Sequence, residues 1–172
     1  MAFDVAKPLV SVIVPMYNVG MFALPCVNSL LGQTYSNIEY IIVDDGCTDN
    51  TIDLIEDAVG SDTRFKILHK ENGGLSSARN FGTQRCHGDY VMYVDGDDLI
   101  DSRTVELMVE AADKYQVSLV IGSFAKTPVL DNYKMGQNVE FHVESGIEHL
   151  RKLLLLSGES GSACGKLFER SL

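Results

Sequence analysis

The sequence predicts an α/β fold, with a mainly parallel β-sheet covered by helices on both faces. Short β-branched runs alternate with segments whose apolar residues recur at helical spacing, a pattern typical of right-handed βαβ units. Polar, glycine-containing segments directly follow the apolar runs. Loops at the carboxyl ends of parallel strands have this composition, and ligands of such sheets bind there.

Five strands and five helices are predicted in order. The strands are residues 9–14, 38–43, 65–69, 90–94 and 117–124. The helices are residues 21–33, 51–59, 76–86, 103–115 and 144–156. Thr48 or Asp49 is expected to cap the second helix and Ser102 the fourth, and residues 127–143 are expected to form an edge hairpin. Because no linker or internal repeat interrupts the pattern, residues 1–172 are predicted to be one domain.

Composition excludes several classes of function. The net charge of -10 and the pI near 4.7 argue against a broad basic face for nucleic acid or an anionic membrane. No apolar run is long enough to span a bilayer, and the N-terminus lacks a signal-peptide layout. The four scattered cysteines indicate reduced thiols in a cytoplasmic chain, without a zinc site.

A carboxylate cluster follows the fourth predicted strand. Asp95, Asp97 and Asp98 lie within four residues, and like charges so close raise the cost of ionising one another. A hard divalent cation, Mg²⁺ or Mn²⁺, removes that cost and prefers oxygen ligands, and Gly96 would let a ligand approach the backbone. The alternative is a tight turn with Asp98 or Asp101 capping the next helix, and capping suffices to explain Asp101.

Three further residues are candidates for binding a ligand. Asp45, with Asp44 before it, ends the second predicted strand and could accept hydrogen bonds from a nucleobase or ribose, or form an Asx turn. Tyr17 could stack on a base or pack in the core. Arg79, near a helix start, could bind phosphate or be an ordinary surface residue. For Asp49, helix capping is the favoured interpretation.

Four segments together resemble the family 2 glycosyltransferases, which are inverting enzymes of the Rossmann-like GT-A fold. The segments are residues 10–18 (VSVIVPMYN), 42–49 (IVDDGCTD), 72–80 (NGGLSSARN) and 93–98 (YVDGDD). The resemblance implies a base pocket lined by Pro15 and Tyr17, with Asp45 hydrogen-bonded to the base. It also implies that Arg79 approaches the base or phosphates. Asp95 and Asp97 would form the D-x-D site for Mn²⁺ or Mg²⁺, with Asp97 the direct ligand and Asp95 also near the sugar and ribose.

The catalytic base of similar enzymes is a carboxylate that follows a segment like residues 165–172 (GKLFERSL). The base is therefore expected beyond Leu172, in a longer parent enzyme. Glu159 and Glu169 are carboxylates of the right type, but neither lies where the family pattern places the base. This chain alone is expected to bind donor with little or no transfer.

The expected partners are a nucleotide diphospho-sugar, on family grounds a UDP-sugar, and a glycan or lipid-linked acceptor at the inner membrane face. An apolar surface left uncovered at the chain's end would favour a homodimer. Two alternatives remain: an inactive binding module and a sugar nucleotidyltransferase. The second requires a basic, glycine-rich loop after the first strand, but residues 16–20 (MYNVG) contain no basic residue.

Overall fold

The computed structural model describes residues 7–123 and 163–171. Its strands are β1 (Val10–Met16), β2 (Ile38–Asp44), β3 (Phe65–His69), β4 (Tyr90–Tyr93), β5 (Leu119–Ile121) and β6 (Lys166–Glu169). Its α-helices are α1 (Ala23–Leu31), α2 (Thr51–Val59), α3 (Leu75–Thr83) and α4 (Thr104–Tyr115). A 3-10 turn at Gly20–Phe22 precedes α1. The predicted hairpin at 127–143, the predicted helix at 144–156 and Glu159 lie outside the described residues.

The strands form one sheet in the order β3-β2-β1-β4-β6-β5. The four strands β3, β2, β1 and β4 are parallel to one another, which confirms the predicted α/β class. β6 is antiparallel to both of its neighbours, β4 and β5. β6 was not predicted, because four residues carry too little periodicity to reveal a strand, and β5 is shorter than the predicted strand at residues 117–124.

The central strands separate two apolar cores. Every residue of β1 is buried, so its side chains alternate between the two faces of the sheet. Val12 and Val14 pack in the core that contains buried residues of α1, α2 and α4. Ile13 packs on the other face, in the core that contains Ala78 of α3. Both faces of the parallel part of the sheet are therefore covered by helices, as predicted.

Pro15 lies within β1, one residue beyond the predicted end of that strand. β1 pairs with β2 through Met16 but with β4 only as far as Ile13. The Met16 carbonyl faces β2, where it accepts a hydrogen bond from Asp45 N at 2.9 Å. Successive residues of a strand point their backbone groups to opposite sides, so the missing N–H of Pro15 falls on the β4 side. β4 has already ended there, and a proline is tolerated.

Aspartates lie just before the starts of α2 and α4. Asp49 Oδ1 accepts a hydrogen bond from Thr51 N at 3.0 Å, but the N-cap residue of α2 is Asn50 and makes no side-chain capping bond, so the predicted caps Thr48 and Asp49 are wrong. At α4 the predicted cap Ser102 is wrong. The N-cap residue of α4 is Arg103, without a side-chain capping bond, and Asp101 Oδ1 accepts the hydrogen bond of Arg103 N at 3.0 Å, so Asp101 closes the turn before the helix and does not cap it. Among the described residues no helix is long and apolar enough to cross a membrane.

Candidate functional site

The candidate site lies at the carboxyl edge of the four parallel strands. β1 leads into Tyr17, β2 into Asp45, β3 into the loop at residues 70–74, and β4 into the acidic loop, defined here as residues 95–101. The strands are parallel and hydrogen-bonded in register up to these ends. The polar segments therefore converge on one edge, as the sequence predicts.

The acidic loop begins where β4 separates from β1. Val94 N still donates to Ile13 O at 3.1 Å, and Asp98 N then donates to Asp95 O at 3.0 Å, which closes a turn. Gly96 is buried inside this turn. A Cβ atom there would overlap Met16 Sδ and lie 3.0 Å from Pro15 O. The glycine thus makes room for β1, and the expectation that Gly96 admits a ligand to the backbone stays a prediction.

Negative charge accumulates in the acidic loop. Burial, and then the neighbouring Asp97 and Asp95 carboxylates, raise the pKa of Asp98. Burial raises the pKa of the nearby Cys26 thiol to about 12, with further contributions from the three aspartates of the loop. Carboxylate oxygens that destabilise one another in this way are a donor set suited to a hard divalent cation.

The aspartates of this loop are placed differently from one another. Asp95, Asp98 and Cys164 each offer a ligand atom, and these three atoms lie within 4.8 Å of one another. Asp97, the expected direct ligand, is exposed beside this group. Cys164 was not predicted as a site residue, because its thiol comes near Asp95 only through the fold, by the bridge that pairs Cys164 with Tyr93.

Arg79 connects α3 to the acidic loop. Its Nη2 atom donates to Asp95 Oδ1 at 2.6 Å and to Cys164 Sγ at 3.2 Å. Burial lowers the pKa of Arg79, but the hydrogen bonds and charge interactions with Asp95 and Cys164 together outweigh burial, so the pKa is raised. The Nε atom is buried and has no hydrogen-bond partner among the described residues. Arg79 is thus not an ordinary solvated surface residue.

Asp45 fastens the loop after β3 to the end of β2. It is only 2% exposed. Its Oδ1 atom accepts from Gly73 N at 3.0 Å, its Oδ2 atom accepts from Gly74 N at 2.8 Å, and Lys70 Nζ also binds Oδ1. Burial raises the pKa of Asp45, but these hydrogen bonds outweigh it and the pKa is lowered. Gly74, with φ of 83°, directly precedes α3, so Asp45 also places the helix that carries Arg79.

The positions of Asp44 and Tyr17 decide between the alternatives that the sequence leaves open, ligand binding or a turn for the aspartate and base stacking or core packing for the tyrosine. Asp44 Oδ1 accepts from Cys47 N at 2.7 Å and its Oδ2 lies 2.9 Å from His69 Nδ1, so this aspartate closes the turn after β2. Burial raises the pKa of Asp44, but the hydrogen bonds with Cys47 and His69 outweigh burial, so the pKa is lowered. Tyr17 is 51% exposed, which excludes core packing and leaves its ring accessible at the rim of the site.

Asn18 joins the loops after β1 and β2. Its backbone has φ of 49°, a conformation that asparagine tolerates better than most residues. The Oδ1 atom accepts from Thr48 N at 2.8 Å, and Nδ2 donates to Thr48 Oγ1 at 3.2 Å. Asn18 was not predicted as a site residue. An asparagine directly after a buried strand is the signal that could have identified it.

Glu169 does not lie at this edge. It pairs with Tyr90 at the first residue of β4, so it is at the amino end of the parallel strands. Its Oε2 atom accepts from Ser118 Oγ at 2.6 Å and its Oε1 from Ser171 Oγ at 2.9 Å. The geometry excludes Glu169 as a group that acts at the acidic loop, in agreement with its position in the sequence pattern.

Comparison with known proteins identifies the family. The family described as glycosyl transferase family 2 matches residues 11–170. The chain belongs to this family. The uncharacterized glycosyltransferase EpsJ of Bacillus subtilis is 46% identical over 119 residues, which cover 69% of this chain and 35% of EpsJ. The chain spans less than half the length of the curated relatives that it matches first.

Solved structures show the same fold. S. aureus TarS 1-349 in complex with UDP-GlcNAc superposes with a TM-score of 0.74 at 24% identity, over 95% of this chain and 46% of TarS. The mannosyltransferase PcManGT of Pyrobaculum calidifontis, in complex with GDP-Man and Mn²⁺, superposes with a TM-score of 0.62 at 24% identity, over 68% of this chain and 36% of PcManGT. The family resemblance and the GT-A fold expected from it are confirmed.

Proposed function

We propose that this chain binds the diphosphate of a nucleotide sugar, a UDP-sugar, at the carboxyl edge of its parallel strands. It would serve as the donor-binding part of an inverting glycosyltransferase whose acceptor is a hydroxyl of a glycan or a lipid-linked sugar. The observation that carries the proposal is the hydrogen-bonded contact between Arg79 and Asp95 of the acidic loop. Among the described residues, a cationic side chain whose buried Nε atom has no hydrogen-bond partner lies beside carboxylates suited to a divalent cation.

The acidic loop would hold Mn²⁺ or Mg²⁺ through Asp97 and Asp95, with Asp98 close by. Burial, and then the Asp97 and Asp95 carboxylates, raise the pKa of Asp98, and a cation bound to this loop would offset the cost of ionising these groups together. When bound, such a cation supplies Lewis-acid stabilisation of the leaving diphosphate. In the comparisons, PcManGT is in complex with Mn²⁺.

Arg79 and Tyr17 have complementary tasks in this proposal. Arg79 Nε would donate to a phosphate oxygen, since guanidinium groups bind phosphate through charge-assisted hydrogen bonds. The exposed ring of Tyr17 would stack on the base above the buried Pro15. Asp45, held by three protein donors, would reach the base only if its hydrogen bonds rearrange, so its first effect is to shape this pocket.

The choice of uracil as the nucleobase rests on family grounds, because the nucleotides bound by the structural neighbours differ. TarS is in complex with UDP-GlcNAc and PcManGT with GDP-Man.

In the proposed reaction, an acceptor hydroxyl attacks the anomeric carbon from the face opposite the diphosphate and inverts the configuration of that carbon. A carboxylate outside the described residues would take the hydroxyl proton.

Donor binding without transfer is the second candidate for the chain taken alone. It is favoured by the position of Glu169 at the opposite end of the sheet. A sugar nucleotidyltransferase is disfavoured by membership of family 2.

Calorimetric titration of UDP tests the proposal, with Mn²⁺ and with EDTA, for the natural protein, Asp97→Asn and Asp57→Asn. Asp57 is exposed on α2, so its variant loses the same charge away from the acidic loop. We expect Mn²⁺-dependent binding that Asp97→Asn loses and Asp57→Asn keeps. Binding that is insensitive to EDTA, or absent for UDP, GDP and dTDP alike, would overturn the proposal.

A further inference from the structure

Gln33 joins α1 to the far end of the acidic loop. It is 8% exposed and follows the last turn of α1. Its Nε2 atom donates to Asp101 O at 2.7 Å and to Ser29 O at 3.0 Å. Its Oε1 atom accepts from Val105 N at 3.2 Å, in the first turn of α4. One side-chain amide therefore connects the end of α1, the acidic loop and the start of α4.

The three contacts require a glutamine in one orientation. The carbonyls of Asp101 and Ser29 can only accept, so they must face the NH₂ group, and the Val105 N–H can only donate, so it must face the amide oxygen. A glutamate could still accept from Val105 but would place negative charge against two carbonyl oxygens. A methionine of similar length would lose all three contacts and leave buried backbone groups without partners.

The acidic loop is thus held at two points. At its start, buried Gly96 is lodged against Met16 and Pro15. At its end, Gln33 holds Asp101 O and Ser29 Oγ accepts from Ile100 N at 3.3 Å. Asp97 and Asp98 lie between these two anchors, so the positions of their carboxylates depend on both.

We propose that Gln33 is a positioning residue for the cation and diphosphate, one that acts through the backbone of the acidic loop. This inference rests on the proposed donor-binding function and adds to it a residue that does not itself touch a ligand. Groups that orient metal ligands without touching the metal commonly change metal affinity by about 10- to 100-fold when they are replaced. Gln33 holds the loop that carries the ligands in the same manner.

The test compares Gln33→Met and Gln33→Glu with a matched control, Tyr40→Phe. Tyr40 OH donates to Leu30 O at 2.6 Å in the buried part of the last turn of α1. Its loss therefore removes a buried hydrogen bond at the same end of the same helix without touching the acidic loop. The dissociation constant of UDP in saturating Mn²⁺ and the melting temperature are measured for each variant.

We expect the dissociation constant to rise by about 10- to 100-fold in Gln33→Met and at least as much in Gln33→Glu, and to stay within about twofold in Tyr40→Phe. A purely structural role makes a different prediction: the affinity would follow the melting temperature, and Tyr40→Phe would weaken binding as much as a Gln33 variant of equal stability. That result would overturn the inference.

Amide hydrogen exchange of residues 95–101, in protein without metal or nucleotide, separates this inference from the proposed function. Faster exchange in Gln33→Met than in Tyr40→Phe supports the anchoring role even if the natural protein fails to bind UDP, in which case only the donor proposal fails. Equal exchange in the two variants would overturn the role of Gln33 whatever the binding result.

Discussion

Arg79 Nη2 lies 2.6 Å from Asp95 Oδ1, and this ion pair joins α3 to the acidic loop after β4. Both side chains are largely shielded from solvent, with 17% and 27% of their surface exposed, so screening weakens their attraction less than at an open surface. Arg79 thereby neutralises part of the charge that a divalent cation would otherwise neutralise. In the proposed function, the arginine and a bound metal ion would compete for this carboxylate, and a diphosphate would bind to both.

Arg79→Met should therefore change metal binding and nucleotide binding in opposite directions. Without nucleotide, removal of a positive charge beside Asp95 should tighten Mn²⁺ binding by about 3- to 10-fold, the scale of a partly screened charge pair. UDP binding in saturating Mn²⁺ should weaken by at least as much, because the phosphate loses its guanidinium. Mn²⁺ titration by electron paramagnetic resonance, followed by calorimetry with UDP, measures both effects.

Arg85→Met is the control for Arg79→Met. Arg85 also belongs to the segment around α3, but its guanidinium lies 3.6 Å from the Phe81 ring centroid. Its replacement removes the same charge without touching the acidic loop, and both affinities should be unchanged. Weaker Mn²⁺ binding in Arg79→Met would contradict the competition between arginine and metal.

Gly96→Ala should destabilise the fold and the site together. The added methyl group would overlap Met16 Sδ in the buried turn, and overpacking of this kind costs about 1–3 kcal/mol. Gly32→Ala at the end of α1 is the control, because its φ of -79° suits alanine and its Cβ would make an ordinary contact at 3.4 Å. Urea unfolding should give a lower free energy of unfolding for Gly96→Ala than for Gly32→Ala. A Gly96→Ala protein as stable as the control would show that the turn is loose.

Local pattern was sufficient to predict the elements that carry the site. Continuous apolar runs predict the strands β1, β2 and β4, because these strands are largely buried. The helical spacing of apolar residues predicts α2 with its bounds. The carboxyl-edge position of Tyr17, Asp45 and the acidic loop follows from parallel topology alone. Features set by neighbouring sequence were therefore accessible without a structure.

Features set by distant contacts were not accessible. β6 is recognisable only through its pairing with β4, and Cys164 comes near Asp95 because of that pairing. Gln33 resembles any polar residue at a helix end until its contact with Asp101, 68 residues away, is known. The contact of Gly96 with β1 was not predicted either, because the sequence does not show that Met16 occupies the space where a Cβ atom would lie.

Asp45→Asn should destabilise the chain by loosening the start of α3. The neutral amide loses charge-assisted hydrogen bonds with Lys70, Gly73 and Gly74, and turns an NH₂ group towards donors. Hydrogen bonds to charged groups contribute about 1.5–3 kcal/mol, which lowers the melting temperature of a chain of this size by roughly 5–10 °C. Differential scanning calorimetry measures the change.

The exposed Asp113 of α4 supplies the control for Asp45. Asp113→Asn carries the same loss of charge and should melt within about 1 °C of the natural protein, as expected for surface substitutions. Equal melting temperatures for the two variants would mean that the carboxylate of Asp45 does not hold the loop.

Glu39 should make stability depend on pH in the acidic range. It is 7% exposed at the start of β2, where Ser11 Oγ donates to it at 2.6 Å and Lys66 Nζ at 3.2 Å. Burial raises the pKa of Glu39, but the hydrogen bonds from Ser11, His87 and Lys66 outweigh burial and lower the pKa from 4.5 to about 2.

A carboxyl group whose pKa is lower in the folded protein stabilises the fold above its unfolded pKa, and this contribution disappears as the pH falls through the folded pKa. Between pH 4.5 and about 2 the natural protein should therefore lose up to about 3 kcal/mol of unfolding free energy through this residue. Glu39→Gln should be less stable at pH 7, and the difference from the natural protein should shrink over that range. Urea unfolding at successive pH values measures this difference in unfolding free energy, and a difference that stays constant would show that Glu39 keeps an ordinary pKa.

UDP binding is the control for the Glu39 variant. Because Glu39 lies at the amino end of the strands, Mn²⁺-dependent UDP binding at pH 7 should be unchanged in Glu39→Gln. This result would show that the variant loses stability but keeps the binding site.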